Sequence, residues 1–136
     1  MGAPVEIVDY DPRWPQTFAS LRDRIAAAVG PLARRIEHVG STAVPGLPAK
    51  PVIDLDVVIA TPAEVPEVIA RLGTLGYRHE GDLGITGREA FAGPIGGPAH
   101  HLYVCAADGR ELARHLALRD YLRTHPEQAR AYAELK

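Results

Sequence analysis

The chain has 136 residues, 46% of them hydrophobic and 24% charged, with a formal net charge of −2. That length supports one domain, residues 1–136, burying roughly two-thirds of its unfolded surface without a disulfide staple. The near-balanced charge excludes a global field that recruits nucleic acid or an anionic membrane. The single Cys105 excludes an internal disulfide, and no membrane-length apolar run or secretion-type leader is visible, so the expected location is the cytoplasm.

Val5 to Val8 is short and β-prone and reads as an edge strand, after which Asp11-Pro12 turns the chain toward a helix. Pro15 suits a first helical turn, Phe18, Leu21, Ile25 and Val29 follow at helical spacing, and Gly30-Pro31 stops them. Trp14, just before this start, is expected to pack into the core. Ile36 to Val39 forms a strand leading into a Gly40-Ser41 turn, with His38 two residues before the glycine. From Ala43 to Pro51 three prolines stiffen a loop whose only charge is Lys50.

Val52 to Ile59 is strongly apolar and β-branched, as a strand near the middle of a sheet requires. Thr61-Pro62-Ala63-Glu64 reads as a capping box opening a helix that carries Val65, Val68, Ile69, Leu72 and Leu75 to Gly76, with Pro66 delaying its start. Tyr77 to Glu80 and Arg88 to Ala92 read as short strands around a glycine-rich loop, and His100 to Ala106 as another. Leu112, Leu116, Leu118, Tyr121 and Leu122 mark a further helix. Thr124-His125-Pro126-Glu127 resembles a second capping box before a last helix ending at Lys136. Strands alternating with helices predict an α/β (α+β) domain with a mixed central sheet and helices packed on it.

The anomaly is the pair of acids in the central strand. Side chains alternate with period two, so Asp54 and Asp56 share one face, about 7 Å apart. Two shielded carboxylates must be protonated, hydrogen-bonded or neutralised by a cation, and a hard divalent ion takes such oxygens together with substrate phosphates. A half-solvated strand with a polar face explains the same pair without any ligand. The Gly40-Ser41 turn upstream supplies backbone N–H groups and, with Thr42, hydroxyls for an anion. Lys50 is a candidate to pair with a phosphate or to neutralise one of the aspartates, Arg88 is a candidate phosphate partner, and of the helix arginines, most of them solvated or paired with acids, only Arg119 is singled out to reach an anion. His100 and His101 point to opposite faces, and His101 is the better site candidate because Leu102 and Val104 look like core. Cys105 lacks an activating partner.

Glycine-serine followed by Asp-x-Asp in an apolar strand resembles the active-site pattern of the nucleotidyltransferase superfamily. The string from His38 to Asp54, with Tyr10-Asp11-Pro12-Arg13-Trp14 and Arg119-Asp120-Tyr121-Leu122-Arg123-x-His125-Pro126, is similar to the GrpB family within it. The resemblance implies a single-domain nucleotidyltransferase-like fold that transfers a nucleoside monophosphate from a nucleoside triphosphate to a small-molecule or protein acceptor. Asp54 and Asp56 would be catalytic and hold Mg²⁺ or Mn²⁺. Gly40, Ser41, Thr42, Lys50 and Arg88 would hold phosphates, with His38, His101, Glu89 and Arg119 as auxiliaries. The superfamily's usual third carboxylate has only Glu89 or Glu80 as candidates. Two other functions fit the residues: a non-catalytic nucleotide-binding or folding-accessory module, as in domains fused to dephospho-CoA kinase, and a metal-dependent hydrolase using His38 or His101 with the aspartates.

Overall fold

The computed structural model describes residues 6–94 and 96–134. Its central strand β2 (Ile53–Ile59) pairs antiparallel with β1 (Arg35–Val39) and parallel with β5 (His100–Ala106). β4 (Arg88–Ala92) runs antiparallel to β5, and β3 (Arg78–Gly81) antiparallel to β4, so the mixed sheet has the order β1-β2-β5-β4-β3. The β-branched run made β2 legible as a central strand, although Val52 falls just outside it.

Alternation along β2 divides the sheet into an apolar and a polar face. Ile53, Leu55, Val57 and Ile59 pack with Leu102, Val104 and Phe91 under α1 (Trp14–Val29) and α2 (Val65–Gly73), which contribute Leu21, Ile25, Val29, Val68 and Leu72. Each such side chain contributes roughly 1.5–3 kcal/mol by leaving water, so this layer carries most of the stability. Trp14 joins the same core.

The second face holds Asp54, Asp56 and Val58 beside His101, Tyr103 and Cys105. α3 (Arg110–Thr124) covers only one end of it, where Leu112 packs against Val58 and Cys105. α4 (Pro126–Glu134) then folds back so that Leu122 and Ala129 enclose Val44 and Leu47 of the proline loop. The end of the face nearer Asp54 is therefore left open.

Several local expectations need correcting. Val8 makes a single bridge to Ala49, with N–H to O distances of 2.9 and 3.0 Å, and pins the proline loop rather than extending the sheet; Val5 lies outside the described residues. Glu64 does cap its helix, accepting from the N–H groups of Ala60 and Thr61 at 2.9 and 3.3 Å, and α2 starts at Val65 as Pro66 suggested. The second capping box is not formed. Thr124 is the last residue of α3, and its hydroxyl donates back to the Asp120 and Tyr121 carbonyls at 3.1 Å. Tyr77 lies outside β3; its hydroxyl donates to His100 Nε2 at 2.7 Å, because His100 Nδ1 already donates to the Pro98 carbonyl at 2.8 Å. Lys136 lies outside the described residues, of which α4 includes those up to Glu134.

Candidate active site

Gly40 ends β1 at φ 77°, ψ −175°, a conformation essentially reserved for glycine, and the chain then enters the short 3-10 turn Ser41–Ala43. A Cβ added at Gly40 would stand 2.2 Å from Asp54 Oδ2. The missing side chain is therefore what allows the Asp54 carboxylate to lie against the turn. Its other oxygen, Oδ1, accepts a hydrogen bond from His101 Nδ1 at 2.9 Å, since parallel pairing sets His101 directly beside Asp54. That bond raises the His101 pKa above its usual value despite partial burial.

Asp56 is fully buried. Its Oδ2 lies 2.6 Å from His115 Nδ1, and among the described residues its Oδ1 has no partner. Burial pushes the Asp56 pKa up, and the carboxylate beside it pushes His115 up, so both directions favour a proton retained between them. His115 Nε2 lies 3.5 Å from Glu111 Oε1, and Arg114 Nη1 donates to Glu111 Oε2 at 3.2 Å. Two other α3 arginines tie the helix to the turn region. Arg119 Nη1 donates to Glu37 Oε1 and the His38 carbonyl at 2.8 and 3.2 Å, and Arg123 Nε donates to the Ala43 carbonyl at 2.9 Å.

These elements enclose a cavity of about 720 Å³. Its lining takes in Gly40, Ser41 and Thr42 from the turn, Lys50 from the loop, and Asp54, Arg88, His101 and Arg119 from β2, β4, β5 and α3. The Arg88 guanidinium sits 4.3 Å from the centroid of the Tyr103 ring, and its buried Nε has no partner among the described residues.

Three sequence expectations fare differently. Asp56 shares a face with Asp54 but lies behind the cavity wall, where His115 covers it. His38 pairs in register with Leu55 and so faces α1; its ring stacks on Phe18 at 4.7 Å and its Nε2 bonds Thr42 Oγ1 at 2.9 Å. Burial, reinforced by nearby Arg123, lowers its pKa to about 4, so His38 is a neutral support for Thr42 rather than a group beside the aspartates. Glu89 pairs in register with Val104 on the apolar face and bonds His79 at 2.6 Å, and exposed Glu80 lies on β3 at the sheet's edge. Neither stands near Asp54 as a third carboxylate. The glycine-rich loop likewise turns the β3–β4 hairpin at that edge, away from the cavity.

Sequence reasoning missed His115, Glu111 and Arg123. A signal was present: Glu111, His115 and Arg119 recur every four residues and so share one helix face. The arginines of this helix read as solvated or paired with acids, and Arg114 and Arg119 are indeed paired with Glu111 and Glu37, but the stripe as a whole faces the polar side of the sheet.

No helix among the described residues is long and apolar enough to cross a membrane. The crystal structure of conserved protein GrpB from Enterococcus faecalis matches with a TM-score of 0.86 at 33% identity, over 96% of this chain and 79% of that one. The structure of Cid1 in complex with the UTP analog UMPNPP shares the fold at a TM-score of 0.56 and 13% identity, over 85% of this chain and 37% of that one. UPF0157 protein PA4798 of Pseudomonas aeruginosa is 42% identical over 137 residues, which is 97% of this chain and 55% of that protein. A 78-residue match, 41% identical, links 55% of this chain to 19% of the dephospho-CoA kinase of Mycolicibacterium paratuberculosis. The chain spans about half the length, or less, of such curated relatives, at 55% of PA4798 and 38% of UPF0157 protein YqkA from Bacillus subtilis. The family model described as GrpB protein matches residues 4–136. On this match, and on the likeness to the Enterococcus protein and to Cid1, the chain belongs to the GrpB family and has its nucleotidyltransferase-like fold.

Proposed function

We propose that this domain binds a nucleoside triphosphate with a divalent cation in the cavity and transfers the nucleoside monophosphate to an acceptor hydroxyl or similar group. The observation that carries this reading is the Asp54 carboxylate lying against the Gly40-Ser41 turn on a cavity large enough for a nucleotide. The donors also fit a cation. Asp54 lines the cavity, and behind its wall Asp56 Oδ1 is a buried carboxylate oxygen without a partner among the described residues, which a cation would satisfy. No three His, Cys, Asp or Glu donors form a ready-made cage among the described residues. Such a site suits Mg²⁺ or Mn²⁺ arriving with the triphosphate, because these ions bind through one or two carboxylates plus phosphate oxygens.

When bound, the cation would supply charge stabilisation to the reacting phosphate. The chain's own residues bind and orient. Ser41 and Thr42 present hydroxyls to phosphate oxygens, with neutral His38 holding Thr42, and Lys50 and Arg88 offset the charge. Val52, Leu118 and Leu122 give the cavity apolar surface for the nucleoside. The acceptor attacks the α-phosphorus, the bond to the bridging oxygen breaks and pyrophosphate leaves. Such chemistry depends mainly on positioning and electrostatics, which these few groups supply. That Cid1 is described in complex with a UTP analog supports placing a nucleotide in this fold.

A second reading, a non-catalytic accessory module, draws support from the match to part of a dephospho-CoA kinase. Under it the Asp54–His101 and Asp56–His115 pairs simply satisfy one another. Thermal unfolding with each nucleoside triphosphate, with and without Mg²⁺ or Mn²⁺, separates the two. Metal-dependent stabilisation lost in Asp54→Asn supports the transferase, and it amounts to about 2.7 kcal/mol when ligand is at a hundredfold its Kd. Absence of any shift favours the accessory module.

A further inference from the structure

We infer that the acceptor carries an acidic group, a carboxylate or a phosphate beside its accepting hydroxyl, and that Arg88, held by the Tyr103 ring, is the residue that binds it. The inference rests on the transferase reading above and deepens it: the charge that Arg88 offsets is the acceptor's, and Tyr103 positions Arg88 to do so.

Sheet order decides which side of the cavity each group serves. The Gly40-Ser41 turn leaves β1 on one flank of β2, while Arg88 stands on β4, beyond β5 on the other flank, so three strand spacings, about 14 Å, lie between them. Asp54 on β2 stands between the two, and all three line the same cavity. Displacement at phosphorus sets the attacking and leaving oxygens roughly in line, on opposite sides of the phosphorus. With pyrophosphate leaving toward the turn, the acceptor enters from the β5–β4 side, where Arg88 and Tyr103 line the wall.

The state of Arg88 says what the acceptor brings. Arg114 and Arg119 are paired with Glu111 and Glu37, whereas Arg88 forms no ion pair among the described residues and its Nε is buried without a partner. Its neighbour Glu89 points to the opposite face and bonds His79. Arg88 pairs in register with Cys105 and Ala90 with Tyr103, so both β4 residues share the polar face. The Ala90 methyl leaves room for the guanidinium to lean onto the Tyr103 ring, 4.3 Å from its centroid. A half-buried cation without a counter-ion is costly to keep. A carboxylate or phosphate, met by the guanidinium fork through two parallel N–H···O bonds, supplies the missing charge.

The test is calorimetric titration of the full chain, first saturated with Mg²⁺ and a non-hydrolysable UTP analog, using probes of one skeleton: glycerol 3-phosphate, glycerate and neutral glycerol. The acids should bind and glycerol should not, and the tighter acid tells which anion the site takes. Arg88→Gln should weaken the acids roughly tenfold or more while weakening the analog far less. Tyr103→Leu should reproduce that loss, and Tyr103→Phe, which keeps the ring, should not. Glycerol binding as tightly as the acids, or no probe binding to the loaded chain, would overturn the inference. So would Arg88→Gln weakening the analog as much as the acids, which assigns Arg88 to the triphosphate instead. In each of these cases the transferase reading stands, provided the analog binds with metal and is released in Asp54→Asn. If the analog itself does not bind, the reading and the inference fail together.

Discussion

Gly40→Ala tests the contact on which the site is built. Two separable costs follow from the structure. At φ 77°, ψ −175° an L-residue is strained by about 1–3 kcal/mol. The new Cβ also meets Asp54 Oδ2 at 2.2 Å and Cγ at 3.0 Å, so the carboxylate must swing away and its bond to His101 breaks. Both partners of that bond are partly solvated, which limits its worth to about 1 kcal/mol. Gly40→Ala should therefore cost about 2–4 kcal/mol. In an Asp54→Ala background the colliding atoms are gone and the nearest remaining one, Asp54 Cβ, lies at 3.1 Å. The same substitution should then cost only the backbone strain. Urea unfolding of the four proteins, read as midpoints at a common slope, gives the coupling. A coupling of about 1 kcal/mol is expected; additivity to within about 0.3 kcal/mol would refute the claim that Asp54 rests on the turn.

Acid should destabilise the protein through His38. Its folded pKa of about 4 lies below the ordinary histidine value of about 6.5, so the unfolded chain takes up the proton first. The contribution is complete above about pH 6.5 and is lost as pH falls toward 4, by about 2–3 kcal/mol after allowing for partial solvent access. The wild-type stability curve minus that of His38→Leu should show this slope; parallel curves would contradict it. The two histidines on the aspartates should also separate by burial. His115→Ala strands the fully buried Asp56 and should cost about 3 kcal/mol or more, whereas His101→Ala, at an exposed position, should cost under about 1 kcal/mol. Equal losses in thermal melts would show that the burial argument is wrong.

The scaffold was legible in the sequence where side-chain period and punctuation agreed. The β-branched run Ile53 to Ile59 pointed to a central strand, and the spacing of Leu21, Ile25 and Val29 pointed to the buried stripe of a helix. Gly40 was legible as a turn residue, but its closeness to Asp54 depends on the register of β1 against β2, which no local pattern encodes. The same limit hid the separate fates of the aspartates. Their shared face follows from alternation, while the burial of Asp56 depends on where α3 crosses the sheet. His115 was missed because the buried side of α3 mixes Glu111 with Leu112 and Leu122, so no continuous apolar stripe marks which way the helix turns its polar groups. Glu89 was offered as a third carboxylate without knowledge that the β4–β5 pairing turns it to the apolar face.

Calorimetric titration of nucleoside triphosphate into the wild-type chain and Asp54→Asn, with and without Mg²⁺ or Mn²⁺, bears most directly on the proposed activity. Binding that needs the divalent ion and vanishes in Asp54→Asn is the predicted result. Binding that ignores both the ion and the substitution, or no binding under any condition, would contradict the assignment of this cavity to a metal-nucleotide complex.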